Sequence, residues 1–179
     1  MGVLMGNQVA RHACKTKIDS TVPPSERNDR YLTPKHIVEA LGPFDLDPCG
    51  APGHVLAKHT YLLENGDDGL TDPWFGRVFL NPPYNARIMA PWIERMIEHN
   101  NGILLIPAST GIKLWQDLIF PNATAIHFYR HRIEFLRREG FEGGEKMVSP
   151  QASAIIAFGD HAADKLVHSD LPGVVIDFR

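Results

Sequence analysis

The chain has 179 residues, 44% hydrophobic and 22% charged, which suits one domain with a packed core and excludes a wholly disordered polymer. Two cysteines, Cys14 and Cys49, cannot make a disulfide framework, and no run approaches the roughly 18 apolar residues of a membrane-spanning helix. A formal net charge of −3 excludes a strongly basic nucleic-acid coat.

Residues 1–30 are polar and aperiodic, with Pro23-Pro24 and a charged run from Ser25 to Arg30, and are expected to be a flexible tail or an arm that orders on binding. The start lacks the apolar run of a signal peptide, and Gly6 stands where a myristoylation pattern wants Ser or Thr. A single domain is expected over residues 31–179. Thr33-Pro34 reads as a helix start, with Thr33 as N-cap and Pro34 first in the helix, and Gly42-Pro43 as its stop. Phe44–Asp47 and Arg77–Leu80 are strand candidates. Ile88–His99 has helical spacing of Ile88, Met89, Trp92, Ile93, Met96 and Ile97, with Pro91 in its first turn. Gly102–Ile106 is a continuous apolar run of the kind buried on both faces of a parallel sheet. Ile112–Phe120 reads as a second amphipathic helix, and Ala125–Tyr129 and Ala154–Phe158 as two further strands. The alternation predicts an α/β open sheet, whose ligands bind at strand carboxyl ends near the switch in strand order.

Two predicted strands end in unusual chemistry, Asp47-Pro48-Cys49-Gly50 and Asn81-Pro82-Pro83-Tyr84. Consecutive prolines remove backbone donors and hold the preceding residues extended, so the second loop presents acceptors with few competing N–H groups. The Asn81 side-chain oxygen, the Pro82 carbonyl and the flat ring of Tyr84 suit a planar substrate with an NH₂ group. An aromatic amine is a poor nucleophile because its lone pair is delocalised into the ring. Fixed acceptors out of the ring plane favour a more tetrahedral nitrogen and stabilise the charge that develops as a bond forms there.

Asn81-Pro82-Pro83-Tyr84 resembles the catalytic loop of amino-methyltransferases. The ordered series Tyr31-Leu32-Thr33-Pro34, Phe44–Cys49, Asp67–Leu70 with Pro73-Trp74, Gly76–Tyr84, Leu105–Ala108, Arg132–Phe135 and Ser153–Gly159 resembles the phage-type DNA N6-adenine methyltransferase family over about residues 31–159. The resemblance implies a Rossmann-like class I methyltransferase sheet, mostly parallel with an antiparallel C-terminal strand. The short interval from Asp47 to Asn81 implies a reduced first half. It also implies S-adenosylmethionine as cofactor and double-stranded DNA with a flipped adenine as substrate, in the cytoplasm of a bacterium or phage-infected host. By position, Asn81, Pro82 and Tyr84 would hold the base and Pro83 would fix the loop. Tyr31, Thr33, Pro34, Asp47, Pro48 and Cys49 would line the cofactor site, and Asp67 or Asp68 would meet its ribose or adenine. Glycines stand only at 50 and 53 in the loop after the first strand, where a Gly-x-Gly pattern is usual in this fold. Cytosine N4, RNA and protein-glutamine amino-methylation are alternatives, as is a non-catalytic DNA- or cofactor-binding remnant.

Cys49, His54 and His59 have a C-x4-H-x4-H spacing that matches no common zinc pattern, so no metal is expected. His127, Arg130, His131, Arg132, Arg137 and Arg138 form a group suited to phosphate contacts, and the segment Gly140–Lys146 reads as a hairpin connection placed to reach DNA. A chain of this size has no room for a large recognition domain, so a short target, relaxed specificity or a homodimer is expected. Charge is partitioned along the sequence: net +2 over residues 1–30, −5 over 31–72 and zero over the rest.

Overall fold

A computed structural model describes residues 31–84, 86–136 and 146–179. Its centre is a seven-stranded sheet built from β1 (Leu46–Asp47), β2 (His59–Thr60), β3 (Val78–Leu80), β4 (Gly102–Pro107), β5 (Ala125–Tyr129), β8 (Ser153–Phe158) and β9 (Gly173–Asp177). The order across the sheet is β2-β1-β3-β4-β8-β5-β9. β2, β1, β3 and β4 pair in parallel, while β8 runs antiparallel to both β4 and β5, and β9 antiparallel to β5. The expected α/β open sheet is therefore present, with two antiparallel strands near the C-terminus in place of one. The first half is small: β1 and β2 have two residues each, joined without an intervening helix.

Successive strand residues point to opposite faces, and both faces are covered. Val78, Leu80, Leu104, Ile106, Ala154, Ile156 and Phe158 lie in one buried cluster with Met89, Trp92, Ile93 and Met96 of α2 (Ala86–His99). Phe79, Ile103, Leu105, Ile155 and Ala157 lie in another with Ile37, Val38 and Leu41 of α1 (Lys35–Leu41). Ala162, Ala163 and Leu166 of α4 (Asp160–Val167) complete that second cluster. This explains why β4 and β8 read as unbroken apolar runs: all six residues of each are buried.

Several local expectations are corrected. α1 begins at Lys35 with Pro34 as its N-cap residue, and no side chain caps it. Thr33 is buried and its hydroxyl serves the site instead. α2 begins at Ala86, two residues early, which moves Pro91 beyond the first turn. The expected helix at Ile112–Phe120 is a π-helical stretch, Leu114–Ile119, that runs into the short α3 (Phe120–Asn122), still burying Leu114, Trp115 and Ile119. β6 (Glu134–Leu136) and β7 (Lys146–Val148) form a separate antiparallel pair. Leu32 adds a bridge to that pair: its N–H donates to the Leu136 carbonyl at 3.1 Å, and the Leu136 N–H returns a bond at 3.0 Å. The expectations for residues 1–30, for Arg137 and Arg138, and for the connection up to residue 145 lie outside the described residues. No helix among the described residues is long and apolar enough to cross a membrane.

Candidate active site

From β1 the chain steps outward to β2, then returns to place β3 on the other side of β1. The crevice at the carboxyl ends of β1 and β3 is thus the switch point of the sheet. A cavity lies there. The loop after β1 contributes Pro48, Cys49 and Gly50, the segment after β2 contributes Tyr61, Leu63, Asp67 and Gly69, and the loop after β3 contributes Asn81, Pro82 and Pro83. Tyr31 and Trp92 close it.

Asn81 is the most constrained polar group at this site. Its Nδ2 donates to the Tyr31 carbonyl at 2.8 Å and to Thr33 Oγ1 at 3.1 Å. These two bonds use both amide hydrogens and fix which way the amide faces. Its Oδ1 is buried with no hydrogen-bond partner. A buried acceptor without a partner is costly, so such a group in a cavity wall is suited to a donor brought by a ligand.

Tyr84 lies outside the cavity wall, stacked on Tyr31 with ring centroids 5.4 Å apart and 24° between planes. Phe135 of β6 meets both rings, at 5.5 Å from Tyr31 and 6.1 Å from Tyr84. The Tyr84 hydroxyl is buried and unpartnered, and burial, then the neighbouring Tyr31, push its pKa up, so the phenol stays neutral.

The loop after β1 and the turn that carries Asp67 are pressed together. A Cβ on Gly69 would stand 1.9 Å from the Pro48 carbonyl oxygen and 2.7 Å from the Trp92 ring, and one on Gly50 would stand 2.1 Å from Thr60 Cγ2. Asp67 is held by the Leu62 N–H, which donates to its Oδ2 at 2.8 Å. The Asp68 carboxylate instead accepts the Leu70 N–H at 3.0 Å and shapes the turn. Arg95 of α2 donates to the carbonyls of Leu70 and Asp72 and lies 5.2 Å from the Trp74 ring centroid, tying the turn to the helix.

Of the residues expected from sequence at the cofactor site, Tyr31, Pro48, Cys49 and Asp67 line the cavity, and Thr33, Pro34, Asp47 and Asp68 do not. Asp47 is buried behind the loop, where its Oδ1 accepts the Cys49 N–H at 3.1 Å. Thr33 acts through Asn81. Sequence reasoning missed Tyr61, Leu63, Gly69 and Trp92 as wall residues. Trp92 carried only the helical spacing of a core residue, which it also is, yet its Nε1 is buried without a partner.

His54 and His59, considered with Cys49, have other contacts. His54 Nε2 lies 3.0 Å from the Thr33 carbonyl oxygen, and the His59 ring meets Phe75 edge-on at 5.2 Å. His127 does not belong to a phosphate-binding group, because it is buried with its ring against Gly173 of the neighbouring β9. Arg130 is exposed just past the carboxyl end of β5, the edge that also carries Asn81. Arg132 donates to the carbonyls of Ser149 and Pro150, bracing the entry to β8.

An open α/β sheet with a strand-end cavity beside a proline-stiffened loop is the class of molecule these features define. The family model for DNA N-6-adenine-methyltransferase (Dam) matches residues 19–166, and the chain belongs to that family. No curated protein matches the chain.

Proposed function

We propose that the chain transfers a methyl group from S-adenosylmethionine to the exocyclic N6 amine of an adenine flipped out of duplex DNA. The observation that carries this reading is the Asn81 amide: two donors engaged, and a buried acceptor left over at the strand end. An amine N–H brought to Oδ1 would satisfy that oxygen, and the Pro82 carbonyl would take the second N–H. With both hydrogens held out of the base plane, the nitrogen lone pair turns toward the incoming carbon. The acceptors then stabilise the positive charge that grows on nitrogen, and no strong base is needed before the bond forms.

The cavity suits the cofactor. Pro48, Tyr61, Leu63 and Trp92 offer apolar walls, Asp67 an acceptor for hydroxyl groups, and Trp92 Nε1 an unpartnered donor. Gly50 and Gly69 let the loop after β1 and the Asp67 turn pack closely where a Gly-x-Gly loop is absent. S-adenosylmethionine supplies a methyl group activated on a sulfonium; the chain's own residues bind, orient and exclude water. The sheet supports a Rossmann-like class I methyltransferase with residues 31–179 as its domain. Extruding the base costs about a few kcal/mol, so the DNA face must supply compensating contacts. Arg130, exposed just past the carboxyl end of β5, and the β6–β7 pair would supply them, within one chain or across a homodimer.

The test is tritiated methyl transfer from S-adenosylmethionine to unmethylated DNA, followed by nucleoside analysis. Label in N6-methyl-2′-deoxyadenosine is expected. Label in cytosine, or none in DNA, overturns the assignment.

A further inference from the structure

We infer that the Tyr31 ring occupies the place on Tyr84 that the flipped base must take, so Tyr31 is a positioning residue whose side chain gates substrate entry. This rests on the base-flipping reading above and concerns how the slot opens. The two tyrosine rings are stacked at 5.4 Å and 24°. Stacked layers are about 3.4 Å thick, so a base between two rings needs roughly 7 Å. The slot as built does not admit one. A base can lie on this face of Tyr84 only if one ring leaves.

The surroundings decide which ring moves. Tyr84 follows two prolines, packs against both buried clusters and has its hydroxyl buried. Tyr31 packs against only one of those clusters and also lines the cavity. Its backbone is pinned: the carbonyl accepts the Asn81 amide, and the next residue bridges to Leu136. Rotation about the Tyr31 side-chain bonds therefore clears the slot while the hydrogen bond that orients Asn81 stays in place. The ring stands in for the base in the free protein and keeps the Tyr84 face out of water. Because the open slot is a minority state, the apparent affinity for DNA is reduced by its population.

Removing the stand-in should raise that affinity. With unmethylated plasmid DNA and tritiated S-adenosylmethionine, Tyr31→Ala is expected to lower KM for DNA about 3- to 10-fold. Tyr31→Trp, a larger plug, should raise it, and Tyr31→Phe, which keeps the ring, should change it least of the three. If Tyr31 were instead a permanent wall that stacks on the base, Tyr31→Ala would raise KM for DNA and lower kcat together, and that result overturns the gate. So does an unchanged KM for DNA in both Tyr31→Ala and Tyr31→Trp. A parent protein that labels no DNA overturns the base-flipping reading first and the gate with it, whereas normal labelling with the wrong Tyr31 pattern overturns the gate alone.

Discussion

The chemistry of the site turns on how one amide is aimed. An Asn side chain can present either end to a ligand, and only its neighbours decide which. Tyr31 and Thr33 accept from Nδ2 and so leave Oδ1 free for the amine of the proposed reaction. Asn81→Ala is expected to cut methyl transfer by about 100-fold or more, as for loss of an oriented polar group. Calorimetric titration with S-adenosylmethionine should show binding retained. Thr33→Val keeps the buried volume but removes one of the two acceptors, a change of about 1 kcal/mol. It should slow transfer about 5-fold, while Thr33→Ser restores the hydroxyl and the rate. Asn81 was legible in the sequence because two prolines after a buried strand leave few other roles for a polar residue. Thr33 was only half legible. A Thr-Pro pair before a helical pattern reads as a cap, and nothing local says that a residue 48 positions away competes for its hydroxyl.

Among the elements, the site depends on a seam between two loops. Gly69 lies against the Pro48 carbonyl and Trp92 closely enough that no side chain fits. Gly69→Ala must push the Asp67 turn away from the loop after β1. A loss of about 1–3 kcal/mol in stability is expected, as for overpacking a filled interior. A calorimetric S-adenosylmethionine affinity at least about 10-fold weaker should accompany it. This seam was illegible from sequence: an Asp-Gly pair signals a turn, and the second partner comes from a different strand. The same limit explains the elements that were missed. β2 has only two residues and cannot show a period. β9 carries exposed Val174 and Ile176 at a sheet edge, so its composition does not mark a buried strand. β4 and β8 were legible because burial on both faces leaves an unbroken apolar run. The π-helical stretch at Leu114–Ile119 kept the expected burial with a different hydrogen-bond pattern, which side-chain spacing over six residues does not resolve.

For the whole molecule, acid sensitivity follows from two buried histidines. Burial lowers the pKa of His54, opposed by its contact with the Thr33 carbonyl and aided by Lys35. Burial also lowers that of His127, opposed by a contact with the Leu171 backbone. The folded state thus prefers both rings neutral, and the unfolded chain binds more protons as acid is added. Their contribution to stability is complete above the ordinary histidine value of about 6.5 and is lost as pH falls from there toward the lowered native values. Scanning calorimetry should show the melting temperature falling from about pH 6.5 to 5, before most carboxylates titrate. Replacing both histidines by Gln should flatten that segment of the profile.

The position of β8 has a consequence for how the chain comes to be folded. β4 and β5 are neighbours in sequence but not in the sheet, because β8 lies between them. Gly102 pairs with Phe158, and Ala125 with Ala157, so each strand waits for a partner made well after it. During synthesis from the N-terminus, the apolar edges of β4 and β5 stay open until residue 158 has emerged. The centre of the sheet then closes late and in one step, through contacts of long sequence separation. A chain ending before β8 would retain the Asn81 loop, yet it would lack the strand that joins the two halves of the sheet beneath it.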